Sequence, residues 1–279
     1  MTSPTPFQHL EAVLFDWAGT TIDFGSRAPT EVFLEIFRRR GVEVTVAEAR
    51  GPMGRAKLEH IAEVARLPRV QDAWRAVHGR DVTDADVLAM YENFLPLQQD
   101  ILSRGSELIP GVVDVVTACR ARGLKIGSTT GYTKALMEVV APSAAKSGYA
   151  PDVIVCPDDV RAGRPAPWLN FRAAEALNVY PMSRVVVVDD TPVGLQAGRN
   201  AGCWTIGVAM SGNALGLSLA EVQGLSSTER EGHLARITAD FVKEGAHAVI
   251  PSVAELIPIL ERIDALIGDG ASADGTESL

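Results

Sequence analysis

Phe15-Asp16-Trp17-Ala18-Gly19-Thr20-Thr21 holds the first group that could do chemistry, an aspartate followed closely by a glycine and two threonines. The residues leading into it, Ala12-Val13-Leu14-Phe15, form a short apolar run suited to a central parallel strand buried on both faces. Asp16 then falls at the strand's carboxyl end, the edge where open α/β sheets bind ligands. The turn after it brings hydroxyls and backbone N–H groups to the same space. A carboxylate there can be a nucleophile, can hold a metal ion, or can simply cap the next helix. Two further polar clusters end apolar runs in the same way: Ser128-Thr129-Thr130-Gly131-Tyr132 after Leu124-Lys125-Ile126-Gly127, and Asp189-Asp190-Thr191 after Val185-Val186-Val187-Val188.

The elements between these clusters fall into two regimes. From about residue 25 to 105 the apolar spacing is helical throughout. Helices are predicted over Pro29–Arg40, from Thr45 with Glu48 at capping-box spacing, over Arg55–Arg66 with Pro68 past its stop, over Gln71–Val77 and over Thr83–Leu102. After Ile109-Pro110-Gly111 helices alternate with short apolar runs, as βαβ units do. Helices are predicted over Val112–Arg122, Pro167–Leu177, Leu219–Val222, Ser227–Lys243 and Val253–Ile267, and strands over 124–127, 153–155, 185–188 and 204–208, with a short apolar run at 248–250. The first strand must belong with these later ones, because an all-helical segment cannot satisfy a strand's backbone groups. The expected fold is therefore α/β: a Rossmann-like core of residues 1–24 and 106–267 with a parallel sheet, and an inserted all-helical cap of residues 25–105 above the sheet's carboxyl edge. Such a cap could close over Asp16 and exclude water. The tail, 268–279, is rich in Gly, Ser, Ala and Asp and is predicted to be disordered.

Composition narrows the function classes. The 279 residues, 47% hydrophobic and 22% charged, describe an ordinary globular protein. A net charge of −9 argues against general affinity for nucleic acid or anionic membranes, so an anionic substrate would need local positive groups. Cys119, Cys156 and Cys203 are scattered and in no metal-ligand spacing. With no signal-peptide pattern and no apolar run of membrane-spanning length, the expectation is a reduced cytoplasmic protein.

Asp16, Ser128-Thr129-Thr130, Arg164 in Ala162-Gly163-Arg164-Pro165, and Asp189-Asp190, in that order and each at a predicted strand end or the loop after it, resemble the haloacid dehalogenase superfamily of phosphoryl-transfer enzymes. Within it the chain resembles the phosphonatases, which split the carbon–phosphorus bond of phosphonoacetaldehyde. That likeness is carried by Phe15 to Thr21, Arg50-Gly51-Pro52-Met53-Gly54 with Lys57 and His60, Gly127 to Tyr132, and Pro157-Asp158-Asp159-Val160 through Pro167-Trp168, and it extends to about residue 265. The resemblance implies Mg²⁺ held by Asp16, Asp190 and the carbonyl of Ala18, with Asp189 as a further possible ligand. It also implies a phosphoryl contact from Thr130, and Arg164 in a position most of the superfamily gives to lysine. A substrate pocket of Met53, Gly131 and Tyr132 is implied too, and pairing of two subunits through the cap helices, for which Trp74 and the other cap aromatics are candidates. Superfamily members often carry another acidic residue four positions after the Asp190 equivalent; here it is Gly194.

Ala18 and Lys57 then separate the chemistries. Superfamily phosphatases commonly have an aspartate two residues after the nucleophile, which protonates an alkoxide leaving group. Ala18 cannot. A carbon leaving group needs an electron sink, and a neutral Lys57 amine condensed with an aldehyde supplies one as a protonated imine. His60, three residues on, shares its helix face and could shuttle protons. On an ordinary amphipathic helix Lys57 and His60 would be solvated, and Met53 and Tyr132 could be core residues. The competing readings are a capped sugar-phosphate phosphatase or mutase, a class I aldolase, and a scaffold module without catalysis. Ala18 speaks against the first, and the Asp16, Arg164 and Asp190 set against the other two.

Overall fold

The computed structural model describes residues 5–53, 55–105, 107–275 and 279; the side chains of 95 and 100–105 are outside the described set, as are Gly54 and residues 276–278 of the tail. Among the described residues six strands form one sheet: β1 (Ala12–Phe15), β2 (Lys125–Thr129), β3 (Val153–Val155), β4 (Val185–Asp189), β5 (Trp204–Val208) and β6 (Ala248–Ile250). All pair in parallel, in the order β3-β2-β1-β4-β5-β6. The β-branched apolar runs read as doubly buried strands because they are. Val13, Phe15, Val186 and Val188 pack into one core layer, and Ala12, Leu14, Val185 and Val187 into the layer on the other face. The strand order reverses between β1 and β4, which opens a crevice beside Asp16.

The helices after β1 are α1 (Arg27–Arg38), α2 (Val46–Arg50), α3 (Lys57–Ala65), α4 (Pro68–His78) and α5 (Asp84–Gly105). They enclose their own core of Val32, Phe33, Phe37, Ile61, Val64, Trp74, Met90 and Phe94. The chain leaves the sheet and returns to it side by side: Ile22 bridges Leu108 antiparallel, the Asp23 N–H donates to the Glu107 carbonyl at 3.0 Å, and the Ile109 N–H to the Thr21 carbonyl at 2.9 Å. Asp23 and Ser26 lie at positive φ, 54° and 50°, where the exit segment turns into α1. Thr45 and Glu48 form a reciprocal capping box on α2. The remaining helices are α6 (Val112–Ala121), α7 (Lys134–Lys146), α8 (Trp168–Leu177), α9 (Pro192–Asn200), α10 (Leu219–Gly224), α11 (Ser227–Lys243) and α12 (Leu256–Gly268).

Two expectations need correction. Pro68 does lie past the stop of α3, but the next helix, expected from Gln71, begins at Pro68 itself, where its fixed φ suits the first turn and its missing N–H costs nothing. Trp74, offered as a surface for subunit pairing, is 1% exposed inside the helical block's core and presents no such surface. Most described residues of the tail are exposed, with Ala273 the one buried exception. Ala273 is 2% exposed, and its carbonyl accepts from Nε2 of the buried His247 at 2.8 Å. Small side chains let the backbone lie close enough for that bond.

Candidate active site

β1 delivers Asp16 to the crevice, and its N–H donates to the Val188 carbonyl of β4 at 2.9 Å, fixing it beside the end of the neighbouring strand. Asp16, Asp189 and Asp190 each have a carboxylate oxygen within 4.8 Å of the others, and all three are buried. Burial, and then the Asp189 charge, push Asp16 up to about 7, against the pull of Arg164. Burial, then the Asp16 and Asp189 charges, push Asp190 well above the carboxylate range. Arg164, 4% exposed, answers part of this charge: Nη1 lies 2.8 Å from Asp16 Oδ1 and 3.2 Å from Asp189 Oδ2. Its Nη2 donates to the Thr129 carbonyl at 2.9 Å and to Oγ1 at 2.8 Å, which orients the fork.

One guanidinium does not balance three carboxylates. Asp190 Oδ1 is buried with no hydrogen-bond partner, and Asp189 Oδ2 has only the Arg164 ion pair. An all-oxygen donor set with an orphaned oxygen and excess negative charge fits a hard divalent cation such as Mg²⁺. Ala18 lines the same cavity.

At Gly194, where superfamily members often carry an acid, the Asp189 carboxylate lies against the backbone. A Cβ on Gly194 would overlap the Asp189 carboxylate, which occupies the notch and accepts from Thr191 N–H at 2.9 Å and Thr191 Oγ1 at 2.7 Å. Gly194→Ala, on the rigid first turn of α9, should therefore displace Asp189 and lower stability by about 1–3 kcal/mol, an overpacking cost. Chemical denaturation measures it; an unchanged midpoint would show that Asp189 does not depend on the notch.

Lys57 opens α3 after the Gly51-Pro52-Met53 break, and it is 4% exposed rather than solvated. Its Nζ lies 5.6 Å from the Phe33 ring centre of the helical block and 5.3 Å from that of Tyr132, beyond β2. Burial lowers its pKa to about 8, with Arg164 pushing the same way and Asp16 opposing. The positive end of α3's dipole acts in the same direction as burial. Tyr132 is buried too, which holds its phenol protonated. Its backbone N–H donates to Thr130 Oγ1 at 3.0 Å.

Asp16, Ala18, Met53, Lys57, Thr130, Gly131, Tyr132, Arg164 and Asp190 all line one tightly closed cavity of about 20 Å³, room for about one water molecule. His60 lies behind Lys57 and off the cavity wall. Its ring stacks on Phe33 with centres 3.6 Å apart, and Nε2 donates to the Ala49 carbonyl at 2.8 Å. That bond fixes the Nε2–H tautomer, while burial drives the pKa well below its ordinary value and leaves Nδ1 a buried lone pair without a hydrogen-bond partner. Sequence reasoning did not single out Ser26, Pro29 or Thr191, which also line the cavity. Thr191 directly follows the two aspartates and could have been found; Ser26 and Pro29 carry no local signal.

Residues 10–202 match the haloacid dehalogenase-like hydrolase family. Phosphonoacetaldehyde hydrolase of Bacillus cereus is 46% identical over 255 residues, covering 91% of this chain and 97% of that protein. The crystal structure of a phosphonoacetaldehyde hydrolase-like protein from Oleispira antarctica superimposes with a TM-score of 0.93 at 38% identity, covering 98% of this chain and 99% of that one. β-Phosphoglucomutase of Clostridium difficile, at 15% identity and a TM-score of 0.67, shares the fold. The chain belongs to the phosphonoacetaldehyde hydrolase family of the haloacid dehalogenase-like hydrolases.

Proposed function

We propose that this chain hydrolyses the carbon–phosphorus bond of phosphonoacetaldehyde to acetaldehyde and phosphate, with the helical block, residues 25–105, as a cap domain on the core. The observation that carries the reading is a buried lysine and a buried aspartate on the walls of one small cavity, beside Ala18, where no acid stands. The neutral Lys57 amine adds to the aldehyde and loses water to give a protonated imine. Asp16 attacks phosphorus; the carbon–phosphorus pair moves into the carbon chain as the imine becomes an enamine, and Asp16 becomes an aspartyl phosphate. Protonation at carbon and hydrolysis free acetaldehyde and Lys57, and a second water releases phosphate from Asp16. Arg164 and Thr130 hold the phosphoryl oxygens. Mg²⁺ bound by Asp16, Asp190, Asp189 and the Ala18 carbonyl would offset charge on the phosphoryl group. His60, through Nδ1, accepts and returns protons during imine formation and dehydration. Met53, Gly131 and Tyr132 enclose the organic part of the substrate.

The reading extends to a cytoplasmic enzyme, which suits three free, buried cysteines. It also extends to a dimer joined through the cap helices, for which Leu58 and Leu88, exposed on α3 and α5, supply apolar surface. Incubation with phosphonoacetaldehyde and Mg²⁺ should release acetaldehyde and phosphate in equal amounts, with sugar phosphates turned over far more slowly. Faster release from a sugar phosphate would replace this reading with a phosphatase.

The imine step also sets a pH dependence. With burial holding Lys57 down to about 8, half of the amine is free at that pH, and well below it the free fraction falls about tenfold for each pH unit. The initial rate of reductive trapping with acetaldehyde and cyanoborohydride should follow that slope from pH 7.5 down to 6. A flat profile would show that Lys57 does not supply the amine.

A further inference from the structure

Arg50, the last residue of α2, is tied to two separate segments of chain, the exit segment at Gly25 and the 211–216 loop. Its Nη1 donates to the carbonyl of Gly25 at 2.9 Å, to that of Asn213 at 3.1 Å and to Asn213 Oδ1 at 3.2 Å; Nη2 donates to the Gly216 carbonyl at 3.3 Å. Gly216, at φ +70°, makes room for it, since a Cβ there would lie 2.6 Å from Cζ. Asn213 is the link onward. Its backbone N–H donates to Asp190 Oδ2 at 2.7 Å, the carboxylate whose other oxygen is orphaned. The same loop reaches the nucleophile's turn and the exit segment: Ser211 Oγ donates to the Gly19 carbonyl at 2.9 Å, and the Gly25 N–H to the Ser211 carbonyl at 2.7 Å.

We propose that Arg50 is a positioning residue that couples the seating of the helical block on the core to cation affinity at Asp190, through the 211–216 loop. The guanidinium reaches these acceptors only while α2 lies against the core. With it in place, Asn213 holds the Asp190 carboxylate at one orientation. With the block lifted, the loop loses the three hydrogen bonds it accepts from Arg50 and Asp190 loses its restraint. Linkage requires the converse: a cation on Asp190 favours the seated block. The substrate cavity is thus closed most firmly when the cation site is filled. The proposal rests on the Mg²⁺-dependent reading above.

The test is calorimetric titration with MgCl₂, without substrate, of the wild-type chain, Arg50→Ala, Asn213→Ala and the double variant, folding being checked by circular dichroism. Arg50→Ala should bind Mg²⁺ about tenfold more weakly, the scale for groups that orient metal ligands. The double variant should be little weaker than Arg50→Ala, because both act along one path. Hydrogen exchange supplies a readout that a merely structural role would not move: Mg²⁺ should slow exchange in α2 and α3 of the wild type and have no such effect in Arg50→Ala. Arg50→Lys, a point donor that cannot span both segments, should fall on the side of Arg50→Ala and carries the test if the alanine variant does not fold. Equal Mg²⁺ affinity in wild type and variants overturns the coupling while leaving the proposed reaction standing. No Mg²⁺ binding by the wild type overturns both.

Discussion

Asp16→Asn is expected to fold normally and to lose more than about 99% of kcat with phosphonoacetaldehyde, a cost above about 2.7 kcal/mol in transition-state stabilisation. A carboxamide is too weak a nucleophile to attack phosphorus, and it removes one of the three carboxylates that could hold a metal ion. The fold should survive for a local reason. Arg164 keeps its bonds to Thr129 and its ion pair with Asp189, so its buried charge is not left alone, and relief of repulsion among the aspartates offsets the lost pair. Steady-state kinetics at saturating Mg²⁺, alongside thermal unfolding, measure both halves. A folded variant keeping more than about a hundredth of wild-type kcat would remove Asp16 from the nucleophile's role.

Lys57→Arg should abolish turnover as thoroughly, by about a thousandfold or more, while sparing the cation site. Arginine keeps the positive charge between Phe33 and Tyr132, but its guanidinium stays protonated and cannot condense with an aldehyde. Mg²⁺ affinity measured by calorimetry should stay within a few-fold of wild type, because Asp16, Asp189 and Asp190 are untouched. Loss of activity with preserved Mg²⁺ binding separates the imine from a role in charge balance. An active arginine variant would mean that the side chain at 57 acts only as a cation.

Much of this arrangement was legible in the chain, and the parts that were not share a cause. The tetravaline run announces β4 because a strand buried on both faces has no polar positions, and the bounds predicted for β5, over 204–208, match for the same reason. The bounds of α11, 227–243, also match the sequence reading, and Ser226 with Glu229 supplies its capping box. What escaped depends on contacts between residues distant in sequence. Trp74 reads equally well as surface or core until α1 and α5 are packed around it. Ala273 is small and flanked by polar residues, and only the approach of His247 explains its burial. The convergence of Lys57 on Asp16 was reached through resemblance, because nothing in helix periodicity says that α3's first residue faces the sheet. Asn213 carried no signal at all, since its contact with Asp190 is made by the backbone.

Reductive trapping followed by peptide mapping tests the imine most directly. Borohydride reduces an iminium to a stable secondary amine, so the enzyme treated with acetaldehyde and borohydride should be inactivated irreversibly, and borohydride alone should do little. Lys57 is the buried lysine and lines the cavity, whereas Lys125, Lys134, Lys146 and Lys243 are exposed and lie off it. Mass spectrometry should place a single two-carbon adduct on Lys57, in step with the loss of activity. An adduct on one of the other four lysines at the rate of inactivation, or full activity after exhaustive trapping, would contradict the imine mechanism.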